Sequence, residues 1–490
     1  MTIPIDDMAA FCKKKGLVYN TADMYGGLAG FFDYGPFGVE IKNKLKAAWW
    51  SYWVQSREDI VGIDGAIITN PSVWKASGHT ENFCDQMLVC SKCAAKQRAD
   101  AFIEEQTGKN LEGASAEELN SLVAENKLVC PACKSSFKEV KDFNLMFSTS
   151  IGAAGGDDAY LRPETAQLIF ANFKLIQEHA RLKPPFGVAQ IGKAFRNEIS
   201  PRNFLFRCRE FEQMEIEYFI NPTIQTCPYY AELENTHFYL LDAAAQEEGT
   251  ENILELTAKE AVEKKIMHEW HAYFLAANIS WFASLGVRPE NFRIREHMKQ
   301  ELAHYSSACF DLEYKFPFGY KELLGVADRG TYDLGRHQEH AKKDLMIYDD
   351  DTKEKYLPVV IAEPSLGVDR SFLVFLYEAY DDDKERGNIV LHLHPRLAPI
   401  TVSVFPLTNK LAGKARELYK ALKHSFAVSY DASGSVGRRY ARADELGTPF
   451  CITVDFEEDG CVTVRDRDTT KQERVKIEAL TSYLRKKIEG

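Results

Sequence analysis

Between two apolar runs, the string Gly192-Lys-Ala-Phe-Arg196-Asn197-Glu198-Ile-Ser-Pro201-Arg202-Asn-Phe-Leu-Phe206-Arg207-Cys-Arg209-Glu-Phe211-Glu212-Gln213-Met-Glu215 concentrates arginines, carboxylates and aromatics. On a strand, Arg196 and Glu198 project to one face, where a guanidinium fixes an anion and a carboxylate accepts from an exocyclic amine. Arg207 and Phe211, beyond the loop, offer a second phosphate contact and a flat apolar plate. That donor set suits a nucleotide. A surface hairpin with ordinary salt bridges accounts for any one Arg–Glu pair, but not for the whole string. A second string, Ala362-Glu363-Pro364-Ser365-Leu-Gly367-Val-Asp369-Arg370, precedes the apolar run Ser371 to Tyr377. Pro364 and Gly367 predict a tight passage from strand to helix. Arg370 then enters the helix's first turn, where backbone N–H groups already favour a terminal phosphate. Third, Cys90/Cys93 and Cys130/Cys133 have the Cys-x₂-Cys spacing of a tetrahedral Zn²⁺ site, 36 residues apart. Structural zinc and four reduced thiols are the two readings; no open coordination position suggests catalytic zinc.

These residues need elements to hold them. Phe186 to Ile220 predicts an antiparallel hairpin around the turn-rich stretch Ser200 to Arg209, with Met214, Ile216, Tyr218 and Ile220 on a buried face and Gln213, Glu215 and Glu217 on a polar one. Residues 36–53 open with Pro36 and place Val39, Ile41, Leu45, Ala48, Trp49, Tyr52 and Trp53 near one another at helical spacing. Residues 90–141 read as a cysteine-bearing insert. Residues 228–300, rich in Ala, Glu, Leu and Lys, read as a helical insertion, and strand-like runs return at Leu357 to Ala362 and Ile389 to Leu393. From 397 to 490 the pattern is strand, helix, strand, helix, strand and final helix: a separate α/β domain. The histidines His79, His304, His337 and His394 read as packing or hydrogen-bonding residues, and Cys208 as a small filler.

Length and charge limit the field. The chain has 490 residues, 45% hydrophobic and 12% aromatic, too apolar for a disordered polymer and long enough for two to four domains. No apolar run approaches the ~20 residues of a membrane helix. Met1 to Ala10 carries Asp6 and Asp7 without a basic start, so no export signal is expected, and the seven scattered cysteines suit a reducing, cytoplasmic setting. The net charge of −12 argues against a protein that coats DNA. It divides unevenly. Residues 397–490 hold 16 basic and 13 acidic side chains, a net of +3, whereas the first 396 hold 44 and 59, a net of −15.

Phe195-Arg196-Asn197-Glu198 with Arg209-Glu210-Phe211 resembles motif 2 of class II aminoacyl-tRNA synthetases, and Gly367 to Arg370 with its helix resembles motif 3. The 36–53 helix, running on through Ile67-Ile-Thr-Asn70-Pro71, looks like motif 1, whose strand and proline pack at a dimer interface. Within that class, Leu161-Arg162-Pro163-Glu164-Thr165-Ala166-Gln167, Glu363-Pro364-Ser365, the N-terminal Gly30 to Gly38 and the tail strings Asp431 to Tyr440 and Asp444 to Pro449 resemble the homodimeric glycyl-tRNA synthetases, over essentially the whole chain.

The resemblance implies an antiparallel class II catalytic sheet flanked by helices (an α+β domain, 1–89 and 142–395) and an anticodon-binding α/β domain at 397–490. It implies ATP, Mg²⁺, glycine and tRNA(Gly) as ligands, and a homodimer. Arg196 would bridge the α-phosphate and the glycine carboxylate; Asn197, Glu198, Phe206, Arg207, Phe211, Leu323 and Gly367 would surround the nucleotide. Arg370 would face the γ-phosphate, and Glu322 would contact ATP and its magnesium. Arg98, Glu164, Phe211, Gln213, Glu215, Glu363, Ser365 and Gly367 would line the glycine pocket. Arg438, Arg439 and Arg442 would face RNA. A pocket this small needs no editing domain. The rivals are a relative that keeps the fold only as a binding module, and a synthetase for another small amino acid; Arg196, Glu198, Glu363 and Arg370 speak against the first, and Glu164 with Glu363-Pro364-Ser365 against the second.

Overall fold

The computed structural model describes residues 3–489 apart from 110, 112, 113, 154, 155, 225, 304, 351, 458 and 459; His304 lies outside the described residues. Its centre is a nine-stranded sheet built from β1 (Ile60–Gly62), β2 (Phe186–Phe195), β3 (Glu210–Ile220), β4 (His237–Leu241), β5 (Leu254–Thr257), β6 (Phe292–Glu296), β7 (Ala308–Phe316), β8 (Gly319–Asp328) and β9 (Val359–Gly367), in the order β5-β4-β6-β7-β8-β9-β3-β2-β1. All neighbours are antiparallel except β1 with β2 and β4 with β6.

Sheet period sorts the side chains. Met214, Ile216, Tyr218, Leu312, Leu324 and Leu366 point to one face, where α1 (Gly38–Trp50), α3 (Glu269–Ser284) and α5 (Val368–Ala379) close a continuous apolar core. The opposite face carries Gln213, Glu215, Glu217, Glu363 and Ser365. Between β2 and α2 (Ala166–His179), with α4 (Tyr332–Ala341) alongside, a smaller core of Phe170, Phe173, Phe186 and Phe219 supports it from below.

Four expectations change. The alternating face of β3 is not solvated: Gln213, Glu215 and Glu217 are all buried, because the 162–165 segment and Arg329 roof that side. The stretch 228–300 is no helical insertion; it supplies β4, β5 and β6 to the sheet. Strands of four or five residues vanish in an Ala- and Glu-rich background, and α3, buried on almost every side, is an interior helix rather than a surface one. In the motif 1 region the strand is Ile60–Gly62, and Ile67 to Pro71 contributes a single bridge from Ile68 to Leu161. The Asn70-Pro71 pair starts a helix instead: the Asn70 side chain accepts from Ser72 N–H at 2.9 Å. Finally, Pro364 does not end β9. The strand runs to Gly367, with Pro364 opposite Val326.

In the insert, strands Cys84–Val89, Lys96–Arg98 and Lys141–Asn144 form a three-stranded sheet with two helices and a core of Leu88, Phe102, Ile103, Leu119 and Leu122. Pairing of Cys84 with Asn144 extends this unit a few residues beyond 90–141 at each end. The C-terminal unit has β10 (Val402–Pro406), α6 (Ala412–Leu422), β11 (Val428–Tyr430), α7 (Val436–Glu445), β12 (Phe450–Val454), β13 (Cys461–Asp466), β14 (Gln472–Lys476) and α8 (Leu480–Glu489), in the sheet order β11-β10-β12-β13-β14. The antiparallel pair β13 and β14 went unread because charged residues crowd 465–476. It meets the catalytic part through Arg386, which donates to Arg467 O at 2.7 Å, and through His392, whose Nδ1 lies 2.6 Å from Asp468 Oδ1.

Candidate active site

β2, β3, β9 and β8 together floor a cavity of about 460 Å³. Arg98, Arg196, Glu198, Phe206, Arg207, Phe211, Gln213, Glu322, Leu323, Ser365, Gly367 and Arg370 all line it. Asn197 is not among the lining residues; its backbone N–H donates to Leu145 O at 2.7 Å and fixes the turn. Arg196 and Glu198 do not share a strand face: β2 ends at Phe195, and Glu198 N–H turns back onto Arg196 O at 2.7 Å.

At the arginine-rich end, the Arg196 guanidinium is held between the rings of Phe83 and Phe211, 5.3 and 5.4 Å from their centroids, while its Nε donates to Pro163 O at 3.1 Å. The planar head is therefore oriented before any ligand arrives. Arg207 donates to Glu198 Oε2 at 2.8 Å. Arg370, in the first turn of α5, donates to Phe206 O at 3.1 Å and lies 3.1 Å from Glu322 Oε2. That guanidinium keeps the Glu322 carboxyl below its usual range and hence ionised, as a hard oxygen donor for Mg²⁺ must be. Asp311, Glu313 and Glu322 line the same wall, so oxygen donors are available where phosphates would enter. Arg98 donates to Asp100 at 2.6–2.9 Å and faces Asp85 at 3.7 Å, beside Arg207; it sits at the same arginine-rich end, away from the Glu164 and Glu363 carboxyls.

Behind the floor the chemistry changes. Gln213 Nε2 donates to Ser365 Oγ at 3.2 Å, and Ser365 Oγ donates to Glu215 Oε1 at 2.7 Å. Thr165 Oγ1 donates to the other Glu215 oxygen. Arg329, only 1% exposed, donates to Asp333 at 2.7 and 3.0 Å and to Glu363 Oε1 at 2.8 Å, and lies 3.8 Å from Glu164. Glu164 also takes Gln167 Nε2 at 2.9 Å and stands 3.3 Å from His79 Nε2. Glu217 is fully buried with both oxygens unpaired among the described residues. Gly192 is required here: a Cβ would stand 2.2 Å from Arg162 Nη2, whose guanidinium holds Gly65 O and Lys193 O at 2.6 Å.

Five buried carboxyls thus surround one guanidinium, and their ionisation divides accordingly. Burial alone would raise Glu164, but His79, Arg329 and Gln167 hold it well below its usual range. Burial and the neighbouring Glu164 raise Glu215, and burial with Glu363 raises Glu217 strongly. Burial, against the pull of Arg329 and reinforced by Glu215 and Glu164, pushes Glu363 up to about 8. Such a cluster lacks positive charge; a small ammonium placed against it would be recognised.

Of these residues, Arg329 and Asp333 belong to no string read in the sequence; Thr165 and Gln167 stood only in the 161–167 string and Glu217 only on the polar strand face, without a role at the site, and His79, read as a packing or hydrogen-bonding residue, orients Glu164. The one local signal was Arg329 four residues before Asp333 at a helix start. His337 holds Gln167 Oε1 at 2.9 Å. The four insert cysteines converge, with Cys90 Sγ 3.4 Å from Cys133 Sγ and Cys93 Sγ 3.6 Å from Cys130 Sγ. Of the tail arginines, Arg439 is buried and faces no RNA: it donates to Pro406 O, Ala432 O and Gly434 O, closing the turn before α7. An arginine whose two terminal nitrogens are both spent on backbone carbonyls is structural. Arg438 is exposed, and Arg442 is exposed but tied to Asp431 and Ser433 O.

An antiparallel sheet with a parallel edge strand, motif 2 arginines on its central hairpin and a motif 3 arginine at the head of the following helix define a class II aminoacyl-tRNA synthetase. Residues 401–487 match the family model described as "Anticodon binding domain", which coincides with the C-terminal unit. Along its length the chain is 45% identical to the Glycine--tRNA ligase of Clostridium perfringens (99% of this chain, 98% of that protein), 46% to that of Clostridium kluyveri (99% and 98%) and 45% to that of Geobacillus kaustophilus (100% of each). The chain belongs to the glycine--tRNA ligase family.

Proposed function

We infer that the chain activates glycine with ATP and transfers it to tRNA(Gly). The glycine carboxylate attacks the α-phosphorus, pyrophosphate leaves, and a hydroxyl of the tRNA's terminal ribose then attacks the carbonyl of glycyl-adenylate, with AMP leaving. Little covalent help is needed; positioning and charge neutralisation carry the first step. Arg196 is the candidate for the α-phosphate and the glycine carboxylate, Arg370 and Arg207 for the outer phosphates, Glu198 and Phe211 for adenine, and Glu322 for Mg²⁺. Glu164, Glu215 and Glu363 are the candidates for the α-ammonium, with Gln213, Ser365 and Gly367 crowding the space a methyl group would need.

The observation that carries this reading is the buried carboxylate cluster one hydrogen bond behind Ser365, on the floor of an arginine-lined cavity. Glycine-dependent ATP–pyrophosphate exchange tests it. Exchange with glycine and little with alanine, serine or threonine is expected; equal exchange with all four would remove the specificity, and none at all would favour a binding module.

Three further assignments belong to the same reading. The chain pairs as a homodimer, for which Met24 and Tyr25, each 84% exposed, and Leu28 offer apolar surface. The converging cysteines hold a structural zinc ion, a setting their Sγ separations fit. The enzyme works in the cytoplasm, where its cysteines, none in a disulfide among the described residues, stay reduced; no helix of the described residues is long and apolar enough to cross a membrane.

A further inference from the structure

Two of the four insert thiols and one arginine of the nucleotide pocket belong to a single small hairpin. Cys90-Ser91-Lys92-Cys93 is the turn that joins Cys84–Val89 to Lys96–Arg98, with Val89 opposite Lys96, Leu88 opposite Gln97 and Met87 opposite Arg98. A second turn of the same build, Cys130 to Cys133, meets it. The residue after each pair, Ala94 and Lys134, takes a left-handed φ of 57° and 60°. In the first turn the Lys92 and Cys93 amides approach Cys90 Sγ at 3.4 and 3.5 Å. The two turns are laced together by Ser91, whose N–H and Oγ–H reach Ser136 O at 3.0 and 2.8 Å. All four Sγ atoms lie within 4.8 Å of one another.

Packing does not explain that convergence. Ser91, Lys92, Cys93 and Ala94 are exposed, as are Pro131, Ala132 and Lys134. The insert's apolar core comes from Leu88, Phe102, Ile103, Leu119, Leu122 and Val140, none of them in the turns. The register of the hairpin nevertheless matters to the active site. A slip of one residue would carry Arg98 to the opposite face of its strand. As built, Arg98 holds Asp100 and faces Asp85; Asp85 Oδ2 is 3.9 Å from Arg207, which in turn holds Glu198.

We propose that a zinc ion on Cys90, Cys93, Cys130 and Cys133 sets the register of the 84–98 hairpin and thereby holds Arg98 at the nucleotide end of the cavity, making the metal a positioning element for ATP. This rests on the assignment of the cysteine cluster to zinc. Arg98 and the metal then act as one unit, and losing either has the same consequence as losing both.

Metal analysis of the full-length protein, with the absorption of its Co²⁺-substituted form, comes first: one ion per chain and a thiolate-to-cobalt charge-transfer band are expected, and absence of either overturns the zinc assignment itself. Pyrophosphate exchange then compares the parent with Cys93→Ser/Cys133→Ser, with Arg98→Ala and with the combination. Loss of one charge-assisted contact predicts a KM for ATP raised about tenfold, with kcat and the KM for glycine within about threefold, and no further rise on combination. Should the double cysteine variant fail to fold, chelation of the parent enzyme followed by equilibrium ATP binding, with and without restored zinc, reads the same effect. Zinc present with unchanged ATP affinity, a loss confined to kcat, or additive effects of the cysteine and Arg98 variants would each overturn the coupling while leaving the metal in place.

Discussion

Arg329 Nη1 donates to Glu363 Oε1 at 2.8 Å, and the same guanidinium holds Asp333 through two more hydrogen bonds in a setting almost sealed from water. It stacks over Tyr305 at 3.9 Å and approaches Phe170 at 5.3 Å. It is the cation in direct reach of three of the cluster's five carboxyls, Asp333, Glu363 and Glu164. Replacing Arg329 by Met leaves those carboxyls unopposed and costs about 3–5 kcal/mol of stability, whereas Lys recovers part of it. Denaturant unfolding of both variants checks this; a loss under about 1 kcal/mol for Met would remove Arg329 from its central place.

Glu363, pushed up to about 8, is largely protonated at neutral pH in the free protein. An ammonium at the cluster favours its ionised form, so glycine binding releases a proton and the KM for glycine falls as pH rises through 7 to 8. Calorimetry in buffers of different ionisation enthalpy counts the proton. Zero release at pH 7 would mean that Glu363 is already ionised.

Arg196→Ala removes the oriented guanidinium between Phe83 and Phe211 without touching the apolar core. Losing one preorganised charge donor to the reacting phosphate lowers exchange at least 10²–10³-fold at unchanged thermal stability. Near-normal exchange would refute its assigned role at the α-phosphate.

The tail arginines separate by burial. Arg439→Ala strands three carbonyls and destabilises the C-terminal unit by about 1–3 kcal/mol, visible in its thermal transition. Arg438→Ala leaves stability and pyrophosphate exchange alone but weakens charging of tRNA. If Arg438→Ala charges normally while Arg439→Ala retains full stability, the division is reversed.

His392 and Asp468 join the catalytic and C-terminal parts at 2.6 Å. The hydrogen bond to Asp468 raises the histidine above its ordinary value of 6.5, so its contribution is complete below that pH and is lost as pH rises through the raised value. His392→Gln therefore lowers the melting temperature more at pH 6 than at pH 8.5, by calorimetry. An equal loss at both would show that the contact acts by packing alone.

The nucleotide half of the site was legible in the sequence because each part of it is local: Arg196 to Phe211 lie on one hairpin, and Arg370 lies in the first turn of α5, directly behind β9. The ammonium half was legible only in fragments. Glu164, Glu215 and Glu363 stood out through resemblance, but Arg329 with Asp333, and His79, come from two other segments, and nothing local distinguishes a buried arginine from a surface one. The same limit hid β4, β5 and β6, strands too short to impose a period on their surroundings. It also made Arg439 look like its exposed neighbour Arg438, since which side of α7 faces the sheet is decided by tertiary packing.

Gln213 and Ser365 meet across a single strand pair although they lie 152 positions apart in the chain. A growing polypeptide leaving the ribosome therefore owns both motif 2 arginines long before it owns a place for glycine, and the amino-acid site cannot exist until residue 367 has emerged and β9 has slotted between β3 and β8. Synthesis order alone keeps every product truncated before residue 367 unable to make the adenylate.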